Sequence, residues 1–153
     1  MRTLCAGGMD MLGVLLSIVA GAAMSLQGVF NARLGEKIGL LESNMFVQGT
    51  AFVLSLAAMF VAGNGNLAAL GQTNRLYWLG GALGLVITLT VMVGMQSLGP
   101  TVAVSVILIA QLLVAAVIDA LGLFGVEQTA FVWTKYLGMA LMIGGVLVFK
   151  LQL

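Results

Sequence analysis

Six amide or carboxylate side chains interrupt stretches of this chain that are otherwise apolar: Gln27, Asn31, Gln48, Gln96, Gln111 and Asp119. Gln27 and Asn31 are four residues apart, so a helix sets them one above the other on a single face. Gln111, Ala115 and Asp119 share a face in the same way, with Gln111 and Asp119 roughly 12 Å apart along the axis at 1.5 Å per residue. Gln48 stands one turn before Phe52. Polar groups placed in hydrocarbon must find partners, so such residues turn toward the interior of a helix bundle, where they bind a polar solute or one another. Asp119 is the only carboxylate attached to an expected membrane helix. It could take up a proton or a cationic substrate, since desolvation opposes the charged form of a carboxylate. It could equally be a helix-end residue, hydrogen-bonded to a neighbouring helix or paired with Lys135. The candidate substrate-binding set is Gln27, Asn31, Gln48, Gln111 and Asp119; the competing role for the amides is to hold helices together.

Other chemistries lack their residues. The chain has no histidine and one cysteine, Cys5, so it supplies neither a zinc site nor a histidine-based triad nor an internal disulfide. No glycine loop precedes a lysine in phosphate-binding spacing, and the hydroxyl residues have no neighbouring general base. The ten methionines are scattered, which suits gap filling better than metal binding. We expect no enzyme activity, no cofactor and no bound metal. With a net charge of +1 and no basic run, no nucleic-acid partner is expected either.

The elements that must hold these polar groups are membrane helices. Of the 153 residues, 61% are hydrophobic and 7% charged, against roughly 25% charged in soluble domains. Between Asp10 and Arg33 lie 22 uncharged residues, enough for one span, since crossing the hydrocarbon takes about 20. Asn44–Ala62 makes a second, ended by GNGN at Gly63–Asn66, residues suited to turns and left-handed backbone. From Leu76 to Ile118 no charge occurs for 43 residues, about twice what one crossing takes, and Gly99-Pro100 is where the chain can turn. The expected architecture is all-α: a single membrane domain over 1–153 with five transmembrane helices at about 11–31, 44–62, 77–98, 101–121 and 131–150. Tyr77, Trp78, Trp133 and Tyr136 fall near helix starts, at the depth of the headgroups. Lys135 can snorkel outward from the start of the last span.

Arg2, the apolar stretch from Met11 and Ala20-Gly21-Ala22 admit reading as a cleaved signal peptide. The apolar stretch runs on past Ala22, however, which favours a retained first span preceded by a loose tail at residues 1–10. With five spans, Arg2, Arg75 and Lys135 lie on one side and Arg33, Lys37 and Lys150 on the other: three against three. An excess of Lys and Arg normally sets orientation. A chain without one could insert both ways, and two opposed copies could pair as an antiparallel dimer resembling an inverted repeat. The alternative is a fixed orientation set by Arg33 and Lys37 or by a partner chain. Small-residue stripes at Gly21/Ser25/Gly28, Gly80/Gly84/Thr88 and Gly138/Gly144/Gly145 are expected packing surfaces.

The segments Ser25–Gly35 (SLQGVFNARLG), Asn44–Thr50 (NMFVQGT), Trp78–Gly84 (WLGGALG), Ser97–Ala103 (SLGPTVA), Ala110–Gly125 (AQLLVAAVIDALGLFG) and Gly138–Val148 (GMALMIGGVLV) occur in an order that resembles the YdcZ-like family. That family is a five-helix branch of the drug/metabolite transporter superfamily. The resemblance implies half of an inverted-repeat transporter, working as an antiparallel homodimer or with an inverted paralogue, in the plasma (inner) membrane as a multi-pass protein. It implies secondary transport of a small metabolite or drug-like solute, with Gln27, Asn31, Gln111 and Asp119 at matching positions. Where the family has Gly-Gln and Asp-His-Phe-Gly, this chain has Ala110-Gln111 and Asp119-Ala120-Leu121-Gly122, which places an Asp–His proton relay in doubt. Small multidrug transporters keep a carboxylate deep in the first helix, and Met11–Asn31 supplies none. The competing expectation is a non-transporting accessory or assembly subunit whose polar residues are structural.

Overall fold

The computed structural model describes residues 2–129 and 132–151, and side chains over 11–129 and 132–149. Arg2, Cys5, Asp10 and Lys150 therefore lie outside the described side chains, and Phe131, the expected start of the last span, outside the described residues. All the regular structure described is helical: α1 (Arg2–Ile38), α2 (Leu40–Ala62), α3 (Gly80–Leu98), α4 (Pro100–Leu121) and α5 (Trp133–Leu151). Among the described residues four stretches are long and apolar enough to cross a membrane: Met11–Ile38, Leu40–Ala62, Arg75–Leu98 and Pro100–Leu121. In α5 the corresponding apolar stretch, Trp133–Phe149, is shorter. Large apolar side chains such as Leu15, Phe52, Phe60 and Leu141 point outward along these helices, the arrangement expected where lipid is the solvent.

Helix ends depart from the limits that charge suggests, because charges mark where hydrocarbon stops and not where backbone hydrogen bonding stops. α1 begins at Arg2, taking in residues expected to trail as a loose tail, and continues seven residues past Asn31 to Ile38. The extra turns carry the Arg33–Glu36 ion pair (3.0 Å, exposed), three residues apart on one face. The stretch between the first two expected spans, residues 32–43, thus shrinks to one non-helical residue, Gly39. Glu36 and Glu42 consequently stand on helices, so Asp119 is not the only carboxylate attached to one. Glu42 lies in the first turn of α2, where the helix dipole favours a negative charge.

α2 ends at Ala62, with the Gly63 N–H donating to Met59 O (2.8 Å). The GNGN segment then works through its asparagine rather than through left-handed glycines; the positive-φ glycines among the described residues are Gly39, Gly99, Gly122 and Gly125. Asn66 Oδ1 accepts from the Ala68 N–H (2.9 Å) and starts a 3-10 stretch at Leu67–Gln72. Asn74 Oδ1 accepts from the Leu76 N–H (3.0 Å) and starts another at Arg75–Leu79, which leads into α3. The indole of Trp78 donates to Thr73 Oγ1 (3.2 Å).

Residues 1–96 and 97–153 form two compact units. In the first, α2 turns back on α1 through Gly39 (φ 101, ψ 151), and Ser43 reaches Asn31, two turns before the end of α1. α3 packs on α1 along Gly28, Ala32 and Gly35: a Cβ on Gly28 would strike the end of Met95 and approach Val91 Cγ1 at 3.2 Å, and one on Gly35 would lie 3.6 Å from Met92 Sδ. Small residues spaced by one turn leave room on α1 for these long side chains of α3. The stripe used is therefore 28/32/35; a Cβ on Gly21 would meet nothing within 4 Å. In the second unit α4 opens with Pro100 at its first positions, where a missing N–H leaves no helical bond unmade, and α5 packs along α4.

Candidate functional site

The first polar cluster sits at the α1–α2 junction. Asn31, Ser43 and Asn44 are the buried polar residues among those described, at 7%, 0% and 3% exposure. A single-residue connection brings the fourth and fifth residues of α2 against the last turns of α1. Ser43 Oγ donates to the main-chain oxygen of Asn31 (3.3 Å). From α3, the Gln96 amide donates to the main-chain oxygen of Ala32 (2.9 Å), one residue further along α1. Asn44 Oδ1 is buried with no hydrogen-bond partner among the described residues. Leaving a buried acceptor unpaired costs about 1–3 kcal/mol.

The second site is a hollow between α4 and α5, about 460 Å³, lined by Leu112, Ala115, Ala116 and Asp119 from α4 and Lys135, Gly138, Met139 and Met142 from α5. Asp119 and Lys135 stand at the same end, in the last turn of α4 and the first of α5. The segment after α4 holds that end in place. Gly122 (φ 62, ψ 36) is the left-handed residue that stops the helix. The chain then folds back, so that the Thr129 N–H donates to Asp119 O (2.9 Å) and the Gln128 amide to Ala120 O (2.9 Å). Both bonds satisfy carbonyls that a helix end leaves without partners. A smaller hollow of about 210 Å³ against the same two helices is lined by Ala116, Ala120, Tyr136 and Met139 among others.

The expected substrate-binding residues thus fall into different settings. Gln27 is exposed on α1 while Asn31, one turn on, is buried. Gln48 is half-buried, with its amide nitrogen 3.6 Å from where a Cβ on Gly84 would be, so it lies against α3. Gln111 is exposed and does not line the α4–α5 hollow, whereas Asp119, half-buried, does. Ser43 and Asn44 were not among the expected site residues; the signal for them was the lone glycine between two apolar helices. Among the described residues no group of three or more acidic, histidine or cysteine side chains could hold a metal.

Comparison with known proteins gives a family match to the profile described as "Putative inner membrane exporter, YdcZ", over residues 12–148. No curated protein and no solved structure matches the chain. The matched residues run from the apolar part of α1 to within three residues of the end of α5, so the chain belongs to this inner membrane exporter family and is a multi-pass inner membrane protein.

Proposed function

We propose that the chain is one half of a small secondary transporter: five membrane helices, two copies in opposite orientations (or one copy with an inverted paralogue), moving a small metabolite or drug-like solute. The observation that carries this reading is the exporter-family match over residues 12–148. α5 completes the fifth span, since its 19 residues cover about 28 Å at 1.5 Å per residue, close to the roughly 30 Å hydrocarbon core, with Lys135 snorkelling at one end. The even division of Lys and Arg removes the usual bias toward one orientation. In the span windows only 0–6% of residues are buried within the chain, which leaves Gln27 and Gln111 on open helix faces for a second copy to cover. Gln27, Asn31, Gln48, Gln111 and Asp119 would then line the transport path. The reading involves no catalysis.

A non-transporting accessory subunit is the second reading, favoured by the hydrogen bonds that engage Ser43 and Gln96 in holding helices together. Solute flux in proteoliposomes separates the two. Under the transport reading an imposed metabolite or ion gradient is dissipated, and Gln27→Ala, Asn31→Ala or Asp119→Asn slows it at equal expression. No dissipation, with all three variants matching the parent, leaves the accessory reading.

A further inference from the structure

The hollow between α4 and α5 offers both signs of charge to one occupant. Asp119 and Lys135 share one end of it, and below them the wall is apolar and low, formed by Ala115, Ala116, Gly138 and Met142. Leu112 and Met142 each lie seven residues from the charged residue of their own helix, so the apolar part extends roughly 10 Å at 1.5 Å per residue. The volume, about 460 Å³, is within the roughly 300–1,000 Å³ of small-molecule sites. A bare cation here gains from Asp119 and loses to Lys135, and a bare anion does the reverse. A zwitterion gains from both, and an ammonium carries three N–H donors, so Lys135 can hold a ligand oxygen in addition to a partner within the protein.

We propose that this hollow recognises a small zwitterion with an apolar body: its ammonium on Asp119, its anionic group on Lys135 and its apolar part against the alanine, glycine and methionine wall. An apolar α-amino acid fits the volume whole; the headgroup of an ethanolamine lipid has the same pair of charges. The proposal names the substrate class for the transporter reading and rests on it.

The test is binding without a gradient, using the full chain in phosphatidylglycerol vesicles, a lipid with no ammonium group. The probes are radiolabelled L-leucine and L-phenylalanine, with 3-methylbutylamine and 4-methylpentanoate as single-charge analogues of leucine. Leucine or phenylalanine is expected to bind about tenfold or more tightly than either analogue, the factor that one charged hydrogen bond supplies. Asp119→Asn should abolish the gain from the ammonium, and Lys135→Gln the gain from the carboxylate, with helical circular dichroism unchanged. If phosphatidylethanolamine added to the vesicles displaces the amino acid, the zwitterion site stands and the lipid headgroup is its source. The amine binding as tightly as leucine, with Lys135→Gln without effect, overturns the proposal, as does no binding of either amino acid to a folded protein. Because binding is read without transport, failure here with flux of another solute intact removes only this site. Binding intact with no flux of any solute removes the transporter reading instead.

Discussion

The side-chain amide of Gln96 on α3 donates a hydrogen bond to the main-chain oxygen of Ala32 on α1, 2.9 Å away and 64 residues earlier in the chain. It lies beside Gly35, where a Cβ would come within 3.4 Å of the same nitrogen and 3.1 Å of Leu40 Cδ2. The bond depends on the small face of α1, since a larger residue at 35 would push the amide away. Hydrogen bonds between membrane helices average about 0.6 kcal/mol and reach about 1.7. Gln96→Ala is therefore expected to lower stability by about 0.5–1.5 kcal/mol in a detergent unfolding titration. Gly35→Leu, which displaces the amide and crowds Met92 as well, should cost more.

At Gly28 the relevant contact is with the flexible end of Met95, which fills the space a Cβ would take. Gly28→Ala is expected to cost about 1 kcal/mol, because the methionine must shift and Val91 stands at 3.2 Å. Met95→Ala alone opens a cavity in a fully packed position and should cost about 2 kcal/mol or more. The double variant should be less unstable than the two losses added, since each change relieves the other. Strict additivity in the same unfolding titration would refute the α1–α3 contact.

The junctions Gly39 (φ 101, ψ 151) and Gly99 (φ 77, ψ 159) adopt a backbone region that is essentially glycine's alone. Alanine at either should cost about 1–3 kcal/mol. At Gly99 this is purely conformational, since a Cβ there would meet nothing within 4 Å. Gly71→Ala, in open space and without a positive φ, is the control and should be neutral within about 0.5 kcal/mol. Thermal unfolding followed by circular dichroism ranks the three.

How much of this was legible in the residues depends on what each signal measures. The turn at Gly99-Pro100 was readable because proline fits the first helical position and glycine the residue before it. The α1–α2 turn was not, because the charges Arg33, Glu36, Lys37 and Glu42 suggested a loop where the backbone stays helical. Periodicity put Gln27 and Asn31 on one face, yet one is exposed and the other buried, since a face spans more than the contact made with it. The α1 stripe in contact lies two turns beyond Gly21/Ser25/Gly28 for a similar reason: those residues are small, but only the position of Met95 decides which small residues are used. The hollow that joins Asp119 to Lys135 depends on how α5 lies along α4, which no spacing within one helix reveals. What covers Gln27 and Gln111 is likewise set by residues outside their own helices.

Asn44 offers a test of the junction cluster. Its Oδ1 is buried without a partner among the described residues, so replacing the amide by an apolar group of similar size removes a desolvation cost and forfeits no bond seen there. Asn44→Leu is expected to leave stability unchanged or raise it by up to about 2 kcal/mol. Ser43→Ala should lower it by about 0.5–1.5 kcal/mol through the lost bond to Asn31. Destabilisation by Asn44→Leu larger than that of Ser43→Ala would mean that the amide has a partner in the folded protein, such as a bound solute or a second chain.

The balance of charge makes orientation the most sensitive property of the proposed dimer. Under the five-span reading, reporters for each compartment fused to the C-terminus should both be active, because neither side carries an excess of Lys and Arg. Removing one charge should break the tie. Arg75→Ala leaves Arg2 and Lys135 on one side against Arg33, Lys37 and Lys150 on the other. The side with three should then become cytoplasmic, with the C-terminus inside. Lys37→Ala leaves two against three in the opposite sense and should turn the C-terminus outward. An antiparallel pair needs both orientations, so each variant expressed alone should lose transport, and co-expression of the two should restore it. One active reporter in the parent chain, unmoved by either substitution, would show a fixed orientation and leave an inverted paralogue as the partner to be found.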